Sequence, residues 1–86
     1  MIYRRKFSPE FEKDLSKIKK KDPIMFSRIC KKIKEVLEKP ESYKPLKYDL
    51  KGLRRFHVGS YVIIFDIKEE IVEFLVIEHH DDAYRR

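Results

Sequence analysis

A glycine–serine pair at positions 59 and 60 separates two runs of strand-forming residues, and it constrains the fold more than any other feature of the chain. A two-residue loop with glycine first is typical of a type II′ β-hairpin, which fixes how the flanking strands pair. Because successive side chains of a strand point to opposite faces, this register assigns each residue to one face. The face predicted to cover a core comprises Phe56, Val58, Tyr61, Ile63 and Phe65, and the opposite face, termed the open face, comprises Arg55, His57, Val62 and Ile64.

A third strand is predicted at residues 71–78, which are almost continuously apolar, as in a strand with both faces covered. A turn at residues 69 and 70 would place this strand antiparallel to the one before it. With an uninterrupted register, Leu75 and Ile77 are expected to join the apolar residues of the open face. His79 is expected to continue the same row.

Two helix starts precede this sheet. Ser8–Pro9 and Asp22–Pro23 each combine a side chain that can accept from free backbone N–H groups with a proline, which the first helical turn tolerates. Apolar residues then recur at helical spacing, which predicts a helical hairpin with one apolar face, ended by Pro40. Residues 1–7 alternate in the manner of an edge strand.

These elements predict an α+β fold: an N-terminal strand, a helical hairpin, then a three-stranded antiparallel meander. They would form one twisted sheet with the helices packed on one face. The 86 residues suit a single domain that spans 1–86. The single cysteine, Cys30, falls on the apolar stripe of the second helix, where we expect it to pack rather than react.

Composition and charge exclude several classes of protein. No apolar run reaches the roughly 18 residues that a membrane-spanning helix needs. The N-terminus lacks the apolar core of a signal peptide, so a cytoplasmic protein without a membrane partner is expected. The net charge of +6 favours an anionic partner such as nucleic acid. The absence of Asn, Gln and Thr is typical of heat-adapted proteins.

The cluster of His79, His80, Asp81 and Asp82 suggests a metal site, but the sequence argues against one. Adjacent residues of an extended chain point to opposite sides, and no cysteine pair or spaced second ligand set accompanies them. We therefore expect neither a metal nor another cofactor.

Arg55, His57, a histidine of the tail and Tyr84 together indicate chemistry on RNA. RNA is cleaved without a metal when its own 2′-hydroxyl attacks the adjacent phosphate, which requires a proton acceptor, a proton donor and cations around the developing charge. Arginine holds phosphate in a bidentate fork, histidine titrates near neutrality, and tyrosine can stack on a base. The alternative is that these are ordinary polar groups on an exposed sheet face.

The order of elements and two spaced motifs resemble the RelE/ParE toxin superfamily of toxin–antitoxin systems. The first motif is basic-x-x-Val-Gly-x-Tyr-x-x-x-Phe, from Arg55 to Phe65, and the second is Ile-x-His-x-x-x-x-Tyr, from Ile77 to Tyr84. In RelE-like members the resemblance implies ribosome-dependent cleavage of messenger RNA by basic side chains on the open sheet face, without a metal. In ParE-like members it implies inhibition of DNA gyrase.

Residue by residue, the resemblance assigns the basic pair before the hairpin to Arg55 and His57. His80 occupies the basic position after the last strand, which is often arginine, and Tyr84 matches the tyrosine near the C-terminus. Val62 departs from the family, which commonly has arginine there, so a phosphate-binding side chain is missing.

We therefore predict a RelE-like endoribonuclease that acts on ribosome-bound messenger RNA and inhibits translation. Its expected partners are the ribosome, messenger RNA and a cognate antitoxin, with which it would form a hetero-oligomer. The alternative is a non-catalytic member, either a gyrase inhibitor or one whose catalysis has decayed. The predicted catalytic residues are Arg55, His57, His80 and Tyr84, and the predicted RNA-binding residues are Lys47, Lys51, Arg54 and Arg85.

Overall fold

A computed structural model describes residues 2–46 and 52–79 of the chain. In chain order its elements are β1 (Arg4–Phe7), α1 (Pro9–Lys21), α2 (Pro23–Glu38), a short 3-10 helix (Pro40–Ser42), β2 (Arg54–Val58), β3 (Tyr61–Lys68) and β4 (Ile71–His79). The four strands form one sheet in the order β1-β4-β3-β2. Two helices cover one face of this sheet, which confirms the predicted α+β architecture.

Both helices begin where the sequence predicts. The Ser8 hydroxyl accepts a hydrogen bond from the Phe11 N–H at 3.0 Å, and the Asp22 carboxylate accepts one from the Met25 N–H at 3.1 Å. These caps satisfy backbone donors that the first helical turn cannot pair internally. Pro40 follows α2 and cannot extend its hydrogen bonding, so the helix ends there.

The predicted antiparallel meander is formed by β2, β3 and β4. β1 lies at the edge of the sheet, as expected, and runs parallel to β4. A parallel pair needs a long crossover connection, which the helical hairpin supplies here. The Tyr3 N–H donates to the Leu37 carbonyl at 3.0 Å, and the Tyr3 hydroxyl donates to the Glu41 carboxylate. That second bond raises the pKa of Tyr3 and lowers the pKa of Glu41.

Each hairpin of the meander has a two-residue loop whose first residue has a positive φ. Gly59 has a φ of 56°, and the loop joins Val58 to its partner Tyr61, which confirms the predicted register. In the second hairpin Glu69 has a φ of 57°. A side chain in this left-handed region costs about 1–2 kcal/mol, so the second turn carries strain that glycine avoids in the first.

A β-bulge in β4 interrupts the register between β3 and β4. Ile64 pairs with Val76, but the next residue, Phe65, pairs with Phe74, so Leu75 is an extra residue in its strand. A bulge of one residue exchanges the two faces of everything beyond it. The last residues of β4 therefore point to the side opposite to that expected from an uninterrupted register.

The bulge corrects the predicted row on the open face. Ile77 and His79 lie on the helix-covered face, where they pair with Ile63 and Tyr61. Their expected places on the open face are taken by Val76 and Glu78, because the extra residue shifts the alternation by one.

Ser8 joins this bulge to the start of α1. Its hydroxyl donates to the Leu75 carbonyl at 2.8 Å while accepting from the Phe11 N–H, and its own N–H donates to the Phe74 carbonyl at 3.0 Å. One serine therefore caps the helix and satisfies a carbonyl of the irregular strand.

The core lies between the helices and the sheet. Phe11, Phe65 and Phe74 are completely buried, with ring centroids 5.6 Å apart for Phe11 and Phe74 and 5.8 Å apart for Phe65 and Phe74. Truncating one such ring to alanine typically costs about 3–5 kcal/mol. Since a small domain is stable by only about 5–15 kcal/mol, this cluster decides whether the sheet is held rigidly.

Candidate functional site

The open face of β2 carries the two predicted catalytic residues that lie within the described chain. Arg55 and His57 are exposed, whereas Phe56 and Val58 between and beyond them are buried. Arg55 pairs with Ile64 and His57 pairs with Val62, as the hairpin register predicts. Alternate residues of a strand are about 7 Å apart, so a guanidinium and an imidazole stand side by side on one surface.

The floor beside these two residues is apolar. Val62 and Ile64 of β3 are followed across the sheet by Glu78 and Val76 of β4, so one row runs from His57 through Val62 to Glu78. Val62 is only 7% exposed and lies outside the main core cluster. Its position on the open face, where the resemblance would place an arginine, is confirmed. The site therefore contains one guanidinium from β2 and none from β3.

Glu78 is a candidate that the sequence register did not place on this surface. It enters the open face only because the bulge at Leu75 shifts the alternation of β4. Its carboxylate adds a second ionisable group to the row that contains His57.

Arg54 faces the opposite way from its neighbour Arg55. Its guanidinium donates to the Tyr43 carbonyl at 2.6 Å and to the Glu41 carbonyl at 3.3 Å. These bonds hold the segment after α2 against the start of β2. The role in RNA binding predicted for Arg54 stays a prediction, and we leave this residue out of the site proposed below.

The other predicted site residues lie outside the described residues. They are Lys47 and Lys51 in the connector before β2, and His80, Tyr84 and Arg85 after β4. The described residues on either side of the connector are hydrogen-bonded to each other, since the Leu46 N–H donates to the Leu53 carbonyl at 2.7 Å.

His79 lies on the helix-covered side of the sheet, against Tyr61. The two rings are 5.4 Å apart and nearly perpendicular. Within residues 2–46 and 52–79, no three side chains of His, Cys, Asp or Glu are grouped so that they could hold a metal. In the same residues, neither helix has the length and apolar content needed to cross a membrane.

A second surface feature is an apolar groove of about 540 Å³ between β1 and the two helices. Cys30, a free and half-buried thiol, lies in it, and the basic side chains of Arg5 and Lys34 stand at its border. The apolar residues that line this groove are Phe7, Leu15, Phe26, Ile33 and Leu37.

Comparison with known proteins gives matches along nearly the whole chain. Residues 5–84 match the family model described as ParE toxin of type II toxin-antitoxin system. A protein of Methanocaldococcus jannaschii with the provisional name toxin RelE4 is 32% identical over 99% of this chain and 94% of its own length. An uncharacterised protein of Methanosarcina mazei is 34% identical over 96% of this chain and all of its own.

A solved structure shares the fold. The crystal structure of the archaeal RelE–RelB complex from Pyrococcus horikoshii OT3 contains a chain that matches this one with a TM-score of 0.74. The match covers 100% of both chains at 19% sequence identity.

Proposed function

Because this chain belongs to the RelE/ParE toxin superfamily, and is thus a toxin of a toxin–antitoxin system, we propose that it is a metal-independent endoribonuclease. It cuts messenger RNA on the ribosome in the cytoplasm and so inhibits translation. The observation that carries this proposal is the exposed pair Arg55 and His57 on the open face of the sheet.

The reaction needs only groups of the kind that this surface presents. The 2′-oxygen of the substrate loses its proton to a base and forms a bond to the adjacent phosphorus, while the bond from phosphorus to the 5′-oxygen breaks and that oxygen takes up a proton. The products are a 2′,3′-cyclic phosphate and a 5′-hydroxyl.

We assign Arg55 to the phosphate, because its planar fork matches two non-bridging oxygens and stabilises the charge that develops on them. Proton transfer is assigned to His57 or His80, because an imidazole can both accept and donate a proton. Tyr84 would orient the substrate by stacking on a base, and Lys47, Lys51 and Arg85 would bind phosphates. The strand pairing of β2 with β3 fixes the backbone of Arg55 beside that of His57.

Replacement of Arg55 by alanine tests this assignment in a translating extract. Loss of one preorganised donor to a developing charge lowers turnover by about 10²–10³-fold, so Arg55→Ala should show that loss of cleavage while remaining folded. His80→Ala should also abolish cleavage. Full activity in both variants would refute the site.

Arg4→Ala provides a matched control. Arg4 is an exposed arginine of β1, and the alternation of that strand places it on the same face as Arg55. Three strand spacings of about 4.8 Å separate the two edges, so removing the Arg4 charge should leave cleavage within about twofold of the wild type.

The buried valine at position 62 favours a second candidate function, a toxin without catalysis that inhibits DNA gyrase or has lost its nuclease activity. Supercoiling and translation assays run in parallel separate the two. Inhibition of supercoiling without cleavage of message would establish a gyrase inhibitor, and neither activity would indicate a member that has lost its nuclease activity.

We further propose that the apolar groove binds the cognate antitoxin. An acidic protein that inserts apolar side chains would cover the floor of the groove and offset the charges of Arg5 and Lys34 at its border. The net charge of +6 on the toxin favours such a partner electrostatically.

Cys30 reports occupancy of this groove directly, because it is the only cysteine of the chain. Alkylation of the thiol should slow at least about tenfold when the co-encoded acidic protein is added, since a bound chain excludes the reagent. Alkylation at an unchanged rate in a stable complex would place the antitoxin elsewhere.

A further inference from the structure

A second groove, of about 370 Å³, lies between α2 and the turn that joins β2 to β3. Arg28, Lys31 and Lys32 line it from α2, and His57 lines it from β2. We propose that this groove, termed the basic groove, binds the phosphate backbone of single-stranded RNA as the strand leaves the open face of the sheet. The proposal rests on the proposed function, because it assumes that the open face takes RNA.

The cations of the basic groove are presented by helical geometry. Positions 28, 31, 32 and 35 share one side of a helix, since residues three and four apart are neighbours on its surface. Arg28 and Lys32 are separated by about 6 Å along the helix axis, comparable with the separation of neighbouring phosphates in an extended strand. Glu35 belongs to the same side and lowers the positive charge of the groove.

Arg28 lies beside the turn. A Cβ atom at position 59 would be in ordinary van der Waals contact, at 3.4 Å, with a terminal nitrogen of the Arg28 guanidinium. The Lys32 Nζ lies 3.5 Å from the Glu35 carboxylate and 5.7 Å from the centre of the Tyr43 ring. Lys32 therefore has neighbours that position it before any ligand arrives.

The groove is continuous with the proposed catalytic surface. His57 lies on the open face beside Arg55 and also lines the basic groove, because β2 is the edge strand of the sheet. A chain that passes Arg55 can therefore turn around this edge and meet Arg28 and Lys31. An extended polyanion fits this path, since its charges repeat along its length.

The lining favours RNA over an acidic protein. Among the described residues that line the basic groove, Val58 is the apolar one, and it is only 6% exposed. A protein segment needs accessible apolar pockets to anchor it, which the apolar groove on the other side of α2 provides and the basic groove does not. A phosphodiester backbone needs only cations and polar contacts.

Fluorescence anisotropy with a single-stranded 2′-O-methyl RNA of about 12 nucleotides tests the proposal. This probe lacks the nucleophilic hydroxyl, so binding is measured apart from cleavage. Each contact between a cation and a phosphate of single-stranded nucleic acid contributes about 0.7 to the salt slope, or about fivefold in affinity at 0.1 M salt. Arg28→Ala/Lys31→Ala should therefore weaken binding by about 25-fold and reduce the slope by about 1.4.

Lys13→Ala/Lys17→Ala is the matched control, because it removes the same charge from exposed positions of α1. It should change affinity less than about threefold. Glu35→Gln should strengthen binding by about two- to fivefold, since it removes a carboxylate from the basic groove. Circular dichroism of each variant verifies that it is folded.

Three results would overturn the proposal. One is an equal loss of affinity in the groove variant and the α1 control, which would indicate a diffuse effect of net charge. Another is unchanged RNA binding in the groove variant. The third is weakened binding of the co-encoded acidic protein with RNA affinity intact. Cleavage of message by the wild-type toxin is measured in the same series of experiments. If the wild type cleaves and any of these three results is obtained, the basic groove is refuted while the proposed function stands.

Discussion

Contact between the start of α2 and the first hairpin turn makes Gly59 the most informative position for testing the fold. Its φ of 56° lies in the left-handed region, and a Cβ atom there would lie 2.5 Å from the terminal methyl group of Met25. Gly52 has a φ of 74°, and no atom of residues 2–46 or 52–79 lies within 4 Å of an added Cβ there. Both glycines therefore require a positive φ, but only at Gly59 would an added Cβ collide with Met25.

The expected free energies follow from these two terms. An alanine whose backbone lies in the left-handed region raises the free energy of the folded state by about 1–2 kcal/mol. About 0.4–1 kcal/mol of this is offset because alanine restricts the unfolded chain more than glycine does. Gly52→Ala should therefore destabilise the protein by about 0.5–1 kcal/mol. Gly59→Ala should cost about 0.5–1.5 kcal/mol more, since Met25 must leave its rotamer to make room.

Urea denaturation followed by circular dichroism measures both changes. Adding Met25→Ala to each background completes a double-mutant cycle, and the coupling energy between positions 25 and 59 should account for the extra cost of Gly59→Ala. If Gly59→Ala costs no more than Gly52→Ala, or if the coupling energy is zero, α2 does not pack on the turn as described.

Three further changes test other parts of the fold by the same measurement. Glu69→Gly should stabilise the protein by about 0.5–1 kcal/mol, because glycine adopts the φ of 57° without steric cost, and a lower urea midpoint would contradict this. Ser8→Ala should cost about 1–3 kcal/mol, since it removes the cap of α1 and the donor to the Leu75 carbonyl; an unchanged midpoint would contradict both roles. Tyr3→Phe should lower the stability of the protein by an amount that is constant at intermediate pH. The difference in stability between wild type and variant should shrink as the pH falls below 4.5, because Glu41 is protonated through its lowered pKa, and as the pH rises above 10.0, because Tyr3 ionises through its raised pKa. A difference that does not depend on pH would count against the bond.

The elements and the first hairpin were predictable because each depends on local chemistry. Ser8 and Asp22 each precede a proline, and each caps the helix that follows it. The glycine at position 59 sets a two-residue loop, and this loop determines that Arg55 pairs with Ile64 and His57 with Val62.

The position of the second hairpin was predictable, but the faces of the β4 residues after Leu75 were not, because no residue type signals the bulge. Leu75 is an ordinary apolar residue in an apolar strand, and what holds it is a hydrogen bond from Ser8, 67 positions earlier in the chain. Such a contact appears only when the helix and the strand are brought together. An uninterrupted register would place Glu78 on the helix-covered face, so the sequence does not identify it as a member of the site.

Tertiary contacts also give Arg54 partners that the sequence does not indicate. Arg55 is exposed on the open face, whereas Arg54 donates to the Tyr43 carbonyl. The basic groove is a further example, because Arg28 and His57 come from elements far apart in the chain. Helical spacing identifies the charged side of α2 but not the strand that it faces.

Mapping of RNA ends in a translating extract tests the central claim most directly. The proposed function predicts discrete cuts in ribosome-bound message, each leaving a 5′-hydroxyl on one fragment and a 2′,3′-cyclic phosphate on the other. The cuts should require active translation, persist with Arg4→Ala and disappear with Arg55→Ala. The proposed function would be contradicted if the message stays intact although folded toxin is present in the extract. It would also be contradicted if Arg55→Ala makes the same cuts as the wild type.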